Sequence, residues 1–89
     1  MNTDDVAKIS KALSEPKRLE IIKQLSIDEK CANDILKEFN ITQPTLSHHM
    51  KQLTGCNIVN KKKEGKTCNY SINKDTLIKY IEFFEEIKK

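Results

Sequence analysis

Short polar side chains, without a single carboxylate, fill the segment from Gln43 to Thr54. On a helix, its apolar residues Leu46, Met50 and Leu53 share one face. The opposite face then carries Pro44, Thr45, Ser47, His48, Lys51 and Gln52. Hydroxyl, amide, imidazole and ammonium groups hydrogen-bond to base edges and phosphates, and the lack of Asp and Glu avoids repulsion from DNA. We therefore predict that this face enters a major groove.

A cluster of lysines follows this segment, at Lys61, Lys62, Lys63 and Lys66. The chain has 16 Lys+Arg and 13 Asp+Glu, for a net charge of only +3. Residues 40–74 nevertheless hold six lysines and one glutamate, so the positive excess is concentrated in the middle of the chain. A lysine run is commonly a solvated surface. Directly after an acid-free helix, it favours a loop that contacts phosphates.

Three cysteines and two histidines are the other candidates for chemistry. An odd number of cysteines without a CxxC pair argues against a disulfide scaffold and favours the reducing cytoplasm. Cys68 alternates with Tyr70 and is predicted to be a small core residue. His48 and His49 point about 100° apart on a helix, which is unfavourable for chelating one ion. His48 lies on the outward face, whereas His49 flanks the inward face and is predicted to be packed.

Apolar periodicity predicts the elements that position these groups. Four helices are expected at residues 3–13, 16–26, 31–39 and 43–54, followed by strands at 57–63 and 66–72 and a helix at 74–88. Thr3, Thr42 and Asn73 are the predicted N-caps, and Glu64-Gly65 is predicted to join the strands. In the second helix, Leu19, Ile22 and Leu25 form the predicted apolar stripe, widened by Ile21.

The predicted order, α-α-α-α-β-β-α, is a mainly α fold with a small β-hairpin. Two short helices at 31–54 form a helix-turn-helix, and the hairpin at 57–72 is the wing of a winged helix. The last helix is apolar around more than half its circumference, which indicates burial against a second subunit.

Chain length and composition exclude several classes of protein. The 89 residues form a single domain, 1–89, and contain no apolar run long enough to span a membrane. No signal-like apolar region follows Met1, so we expect a cytoplasmic protein without a membrane partner. There is no nucleophile–base pair, metal cluster or glycine-rich phosphate loop, so an enzyme is not expected.

Three stretches together resemble the ArsR (arsenic repressor, ArsR/SmtB) family of winged-helix transcriptional regulators. They are KALSEPKRLEI at residues 11–21, ITQPTLSHHMKQL at 41–53, and the hairpin from Lys63 to Ile72 with KEGK and YSI. The resemblance covers nearly the whole chain, and the second block is the most specific of the three.

The resemblance implies a homodimer formed by the first and last helices, at residues 3–13 and 74–88. It also implies a palindromic double-stranded operator, repression relieved by an effector, and no enzymatic activity. Gln43, Ser47, His48 and the wing lysines correspond to operator-contacting positions. Gln43 lies beside the polar face, at the helix N-terminus, where it can still reach a base edge.

The effector is less defined. Many similar proteins sense arsenite, cadmium or lead through a Cys-x-Cys pattern at the start of the third helix, because soft thiolates suit such ions. Here Cys31 is present, but Asn33 and Leu36 occupy the other positions. Cys56 is a second candidate ligand, because a few similar proteins place a cysteine ligand in that loop. Structural packing, a soft metal or metalloid ligand, and redox sensing are the open roles for the thiols.

Other members of the family bind zinc-like metals between their paired last helices. This chain is not expected to have that site, because residues 73–89 contain no His or Cys. Two other functions stay open beside the operator-binding repressor. One is a winged-helix module that binds protein instead of DNA, and the other is a thiol redox-responsive regulator.

Overall fold

The computed structural model describes residues 1–89 as five helices and a three-stranded antiparallel sheet. The elements are α1 (Thr3–Ala12), α2 (Pro16–Leu25), β1 (Lys30–Cys31), α3 (Ala32–Phe39), α4 (Gln43–Gly55), β2 (Val59–Glu64), β3 (Thr67–Ile72) and α5 (Lys74–Lys88). The predicted mainly α, winged helix-turn-helix fold is confirmed, with one added strand. None of the five helices combines the length and apolar composition needed to cross a membrane.

The added strand, β1, has only two residues and lies at one edge of the sheet. The strand order is β1-β3-β2, and β1 pairs antiparallel to β3 through Lys30↔Tyr70 and Cys31↔Asn69. Two residues show no alternation, and the partner strand is far away in sequence, so periodicity alone does not reveal β1. Cys31 is consequently the N-cap of α3 instead of its first residue, and its side chain makes no capping hydrogen bond.

Side-chain caps set the start of three helices. Thr42 accepts a hydrogen bond from the Thr45 N–H and Asn73 accepts one from the Thr76 N–H, so both predicted caps are confirmed. The prediction for α1 was wrong: Asn2, not Thr3, caps it by accepting from the Asp5 N–H at 2.8 Å. The side-chain oxygen of Asn2 reaches the free N–H of Asp5 in the first turn, so the cap lies one residue earlier than predicted and Thr3 is the first helical residue.

The helix-turn-helix consists of α3 and α4. Asn40 ends α3 in the left-handed conformation, with φ 50° and ψ 49°, which an Asn side chain tolerates better than most. The chain then needs only residues 40–42 before α4 begins, so the two helices are held at a fixed angle by a short turn.

A small core joins these helices to the sheet. Its least exposed side chains are Ile9, Ile21, Ile35, Leu46, Leu53 and Ile58. The expected stripe of α2 was wrong at Leu19, which is 50% exposed, and partly at Ile22, which is half-buried. Leu25 of the predicted stripe and Ile21, which was predicted to widen it, are the buried pair, four residues apart on one helix face.

The last helix, α5, has no buried residue. Ile78, Ile81, Phe84 and Ile87 are all 45–66% exposed although the helix is rich in apolar residues. Its side-chain hydrogen bond to the rest of the chain joins the Tyr80 hydroxyl to the Ser10 hydroxyl of α1 at 2.8 Å. The molecule is elongated, 44 × 23 × 21 Å, and α5 leaves an apolar surface beside α1.

Candidate nucleic-acid interface

The outward face of α4 is polar and free of acids. Leu46, His49, Met50 and Leu53 are buried, which confirms the predicted inward face and the packed position of His49. Gln43, Thr45, Ser47, His48 and Lys51 are exposed, whereas Gln52 is half-buried. Five of the six predicted side chains on this helix are therefore available to a ligand without any change of fold.

Thr45 differs from its neighbours because it also takes part in capping α4. Its N–H donates to Thr42 Oγ1 at 3.4 Å, and the Thr42 hydroxyl donates to Thr45 Oγ1 at 2.9 Å. Thr45 Oγ1 is thus already an acceptor within the protein, while its own hydroxyl proton remains available to a base or phosphate.

The four wing lysines lie on two faces of the hairpin and in its turn. Lys61 and Lys63 of β2 pair with Tyr70 and Cys68 of β3, and Lys62 pairs with Asn69. Because paired residues share a face and side chains alternate along a strand, Lys61 and Lys63 lie on the Tyr70 face and Lys62 on the other. Lys66 lies in the turn after Gly65, not in β3 as predicted, because the turn shifts by one residue.

A cleft of about 280 Å³ joins α4 to the base of the wing. It is lined by Ser47, Met50, Lys51, Thr54, Lys61 and Tyr70. The structure therefore brings together predicted DNA-binding residues from two elements, Ser47 and Lys51 of α4 and Lys61 of β2. We call this the reading cleft.

The one acid of the wing is held on the opposite face. Glu64 lies 3.7 Å from Lys62 and accepts a 3.4 Å hydrogen bond from the Asn69 side-chain amide. Lys62 is thus partly neutralised by its neighbour, although such an exposed ion pair contributes little energy. The uncompensated positive charge on the α4 side of the wing comes from Lys61 and Lys63.

Behind α4, a polar contact connects three helices that sequence periodicity did not relate. Arg18 Nε donates to His49 Nδ1 at 3.1 Å, and Arg18 Nη1 donates to the Ala12 carbonyl at 3.1 Å. Burial lowers the pKa of His49 below its ordinary value of 6.5, and the positive charge of Arg18 lowers the pKa further. The sequence held one signal for this contact: Arg18 is the only arginine of the chain, and all the other Lys+Arg residues are lysines.

The three cysteines do not form a site within one chain. Cys56 is buried in the core and contacts the Leu53 carbonyl at 3.4 Å, and Cys68 packs against the core as predicted. Cys31 pairs with Asn69, so the strand alternation places it on the sheet face opposite Cys68. No group of three His, Cys, Asp or Glu that could hold a metal occurs in the 89 residues. The residues of one chain therefore do not fit a three-sulfur metal site.

Known proteins match this chain in sequence. A family model described as "Bacterial regulatory protein, arsR family" matches residues 15–61. The arsenical resistance operon repressor of Staphylococcus xylosus is 44% identical over 77 residues, covering 86% of this chain and 74% of that protein. The transcriptional repressor SdpR of Bacillus subtilis is 33% identical over 69 residues, covering 78% of this chain and 77% of that protein.

Solved structures match in fold. An ArsR-like transcriptional regulator from Rhodococcus has a TM-score of 0.85 at 24% identity, covering 96% of this chain and 80% of that one. The homodimeric winged helix-turn-helix DNA-binding domain of a Mycobacterium bovis protein has a TM-score of 0.78 at 24% identity, again covering 96% and 80%. The sequence matches include α4 and its polar face, and the same architecture recurs in the structures. The chain is therefore a member of the ArsR family of bacterial transcription regulators.

Proposed function

We propose that this protein is a sequence-specific DNA-binding repressor that acts as a homodimer on a palindromic operator. The observation that carries the proposal is the reading cleft, where the acid-free face of α4 meets the base of a lysine-rich wing. The relatives named as repressors support repression of transcription, and not activation.

In this proposal the two elements have different tasks. Gln43, Ser47 and His48 near the start of α4 contact base edges, because their side chains are exposed and can donate and accept hydrogen bonds. Lys61, Lys63 and Lys66 contact phosphates as point charges, which strengthens binding to any sequence. Lys51 and Thr45 orient α4 on the backbone of the duplex.

Support for the homodimer comes from α5. Its exposed apolar residues lie beside α1 and have no cover within one chain. A second copy packed on this surface would place two α4 helices on the same side of the dimer, which suits an inverted repeat. The Mycobacterium bovis domain, named as homodimeric, has the same fold.

The test compares two duplexes at several salt concentrations. One carries the inverted repeat upstream of this protein's own gene, and the other has the same composition in scrambled order. We expect tighter binding to the repeat, with affinity falling steeply as salt rises, because lysine–phosphate contacts release counterions. Equal affinity for the two duplexes at every salt concentration would exclude sequence-specific binding and favour a module that binds protein.

Variants separate base recognition from phosphate contact. His48→Ala and Gln43→Ala should reduce the preference for the repeat, whereas Lys61→Gln and Lys66→Gln should weaken binding to both duplexes alike. Removing one lysine that binds a phosphate should also reduce the salt slope by about 0.9. Lys23→Gln on α2 is the matched control, because it removes the same charge from an exposed position outside both the reading cleft and the proposed dimer helices.

For the effector, we propose release from DNA by a soft metal or metalloid that binds Cys31 together with donors outside the same chain. The relatives named as arsenical resistance repressors support this chemistry, and Cys31 is half-buried with a side chain that makes no capping hydrogen bond to α3. Arsenite, cadmium and lead should each lower the number of reactive thiols and the affinity for DNA, and Cys31→Ser should remove both effects. Unchanged thiol reactivity and unchanged DNA affinity would exclude this effector class.

A further inference from the structure

We propose that Arg18 is a positioning residue for DNA recognition: its two hydrogen bonds fix the rotation of α4 relative to α1 and α2. This inference rests on the proposed function, because it concerns the helix that contacts base edges. Arg18 would touch no DNA itself but would control how the outward face of α4 is oriented toward the duplex.

The geometry gives Arg18 a role that no other side chain has. Its Nε–H reaches His49 Nδ1 on α4, and its Nη1–H reaches the carbonyl of Ala12, the last residue of α1, both at 3.1 Å. No other hydrogen bond joins α2 to α4, and their backbones are not close neighbours along their lengths. The guanidinium therefore supplies the polar connection among three helices.

The partners of Arg18 are also unusual in being uncharged. A partly buried guanidinium is normally paired with a carboxylate, yet Arg18 makes no ion pair and its two acceptors are an imidazole and a carbonyl. The arrangement needs His49 in its neutral form, because only an unprotonated Nδ1 can accept.

His49 lies directly beside the outward face of α4. His48, its neighbour in sequence, is exposed at the centre of that face, and the two ring centroids are 6.0 Å apart. A rotation of α4 by a few tens of degrees would move His48 and Ser47 out of register with base edges, although the helix would stay folded. Hydrogen bonds between bases and side chains are short and directional, so discrimination is lost before general affinity for DNA.

Protonation of His49 should break the connection. The charged and titratable groups that act on His49 are Arg18, Lys17 and Glu15 from the start of α2 and His48 from α4. Three of these disfavour the protonated ring and only Glu15 favours it. A protonated His49 would face the Arg18 guanidinium without an acceptor between them, so acidification should release α4 from Arg18.

The experiment measures the ratio of affinities for the inverted-repeat duplex and its scrambled control, from pH 7.5 down to 4.5, because the pKa of His49 lies below its ordinary value of 6.5. For the unmodified protein we expect the ratio to fall about tenfold once the pH passes below this lowered pKa, the loss of one hydrogen bond to a charged group. His49→Asn carries an amide oxygen bonded to Cγ, as Nδ1 is, and this oxygen does not titrate, so its ratio should change by less than about twofold. His48 is retained in both proteins, so its contribution to DNA binding is common to both.

Arg18→Lys tests the two-acceptor geometry with the charge kept. A single ammonium cannot reproduce the Nε and Nη1 fork, so the ratio should already be low at pH 7.5, while scrambled DNA binds as before. Circular dichroism shows whether the variant is folded. If it is not, the ¹⁵N signals of the His49 ring in the unmodified protein still decide, because the inference requires the proton on Nε2 at pH 7.5.

Each outcome has one meaning. Identical pH profiles for the unmodified protein and His49→Asn, a normal ratio for Arg18→Lys, or a proton on Nδ1 would each overturn the role of Arg18. A ratio of one for the unmodified protein at pH 7.5 would instead overturn the proposed function. The two failures are therefore distinguishable.

Discussion

His49 shows how one buried side chain of α4 connects stability to pH. Among the buried residues it is the only polar one, with 9% of its surface exposed. Desolvation and Arg18 lower its pKa, so the folded protein resists protonation of this ring. Position in the sequence predicted its packing, but not its partner, because Arg18 lies 31 residues away on another helix.

We predict that the free energy of unfolding falls as the pH drops below about 6.5. Above that value His49 is neutral in both states, and below it the unfolded chain takes up a proton that the folded protein resists. The loss continues until the pH reaches the lowered pKa of the folded state. Urea titrations at pH 7.5, 6.5 and 5.5 measure it.

His49→Gln and His48→Gln form a matched pair for this measurement. His49→Gln should reduce the dependence of stability on pH, whereas His48→Gln, at an exposed position of the same helix, should keep it. An equal pH dependence in both variants would show that His49 is not the responsible group.

At the scale of the elements, the sequence predicted the features that depend on neighbouring residues only. Thr42 and Asn73 were found from residue type and position, and Leu46, Met50 and Leu53 from their spacing, because caps and amphipathic faces are short-range features. The strand β1 was missed because its pairing to β3 is long-range. Leu19 was misassigned because α2 packs through Ile21 and Leu25, and spacing alone did not distinguish these two stripes.

The candidate site also has one part set by local pattern and one part set by long-range pairing. The outward face of α4 was predictable, since it is the complement of the buried stripe. Alternation along a strand already separates Lys61 and Lys63 from Lys62, but which group faces α4 was not predictable, because it depends on the register Lys61↔Tyr70 and Lys63↔Cys68. A shift of one residue in that register would exchange the two faces.

The turn of the wing yields a stability prediction. Gly65 has φ +62°, and a β-carbon there has free space but a strained backbone. Gly65→Ala should therefore lower the free energy of unfolding by about 1 kcal/mol. Gly55→Ala, at the end of α4 and equally free of contacts, should raise it by roughly 0.5 kcal/mol because alanine favours the helix.

Urea midpoints of the two glycine variants decide the comparison. Equal effects on stability would mean that the positive φ of Gly65 is not a constraint in solution. Weaker DNA binding by Gly65→Ala at unchanged stability would instead indicate that the turn itself contacts the duplex.

At the scale of the whole molecule, the net charge of +3 is a sum of opposing regions. Residues 40–74 carry the positive excess, and the regions that contain α1 and α5 are slightly acidic. A dimer through α1 and α5 would therefore join near-neutral surfaces and double the positive surface that faces DNA.

We predict that Ile81→Lys disrupts this dimer. The residue is 48% exposed in one chain, so a lysine is tolerated by the fold but not by an apolar interface. Sedimentation velocity should show a monomer with an unchanged far-UV spectrum and weaker binding to the inverted repeat. Glu82→Lys, on the polar side of α5, is the control and should remain dimeric; identical behaviour of the two variants would place the interface elsewhere.

The strand order β1-β3-β2 has one more consequence, for solubility. β2 is the long free edge of the sheet, and unpaired edges attract strands from other molecules. The three lysines in the middle of β2 should repel a second copy of the same edge, so we expect these residues, two of which are proposed to contact DNA, also to keep the free protein from aggregating. Apolar replacements at Lys61 to Lys63 should therefore precipitate in the absence of DNA, whereas glutamine replacements should remain soluble.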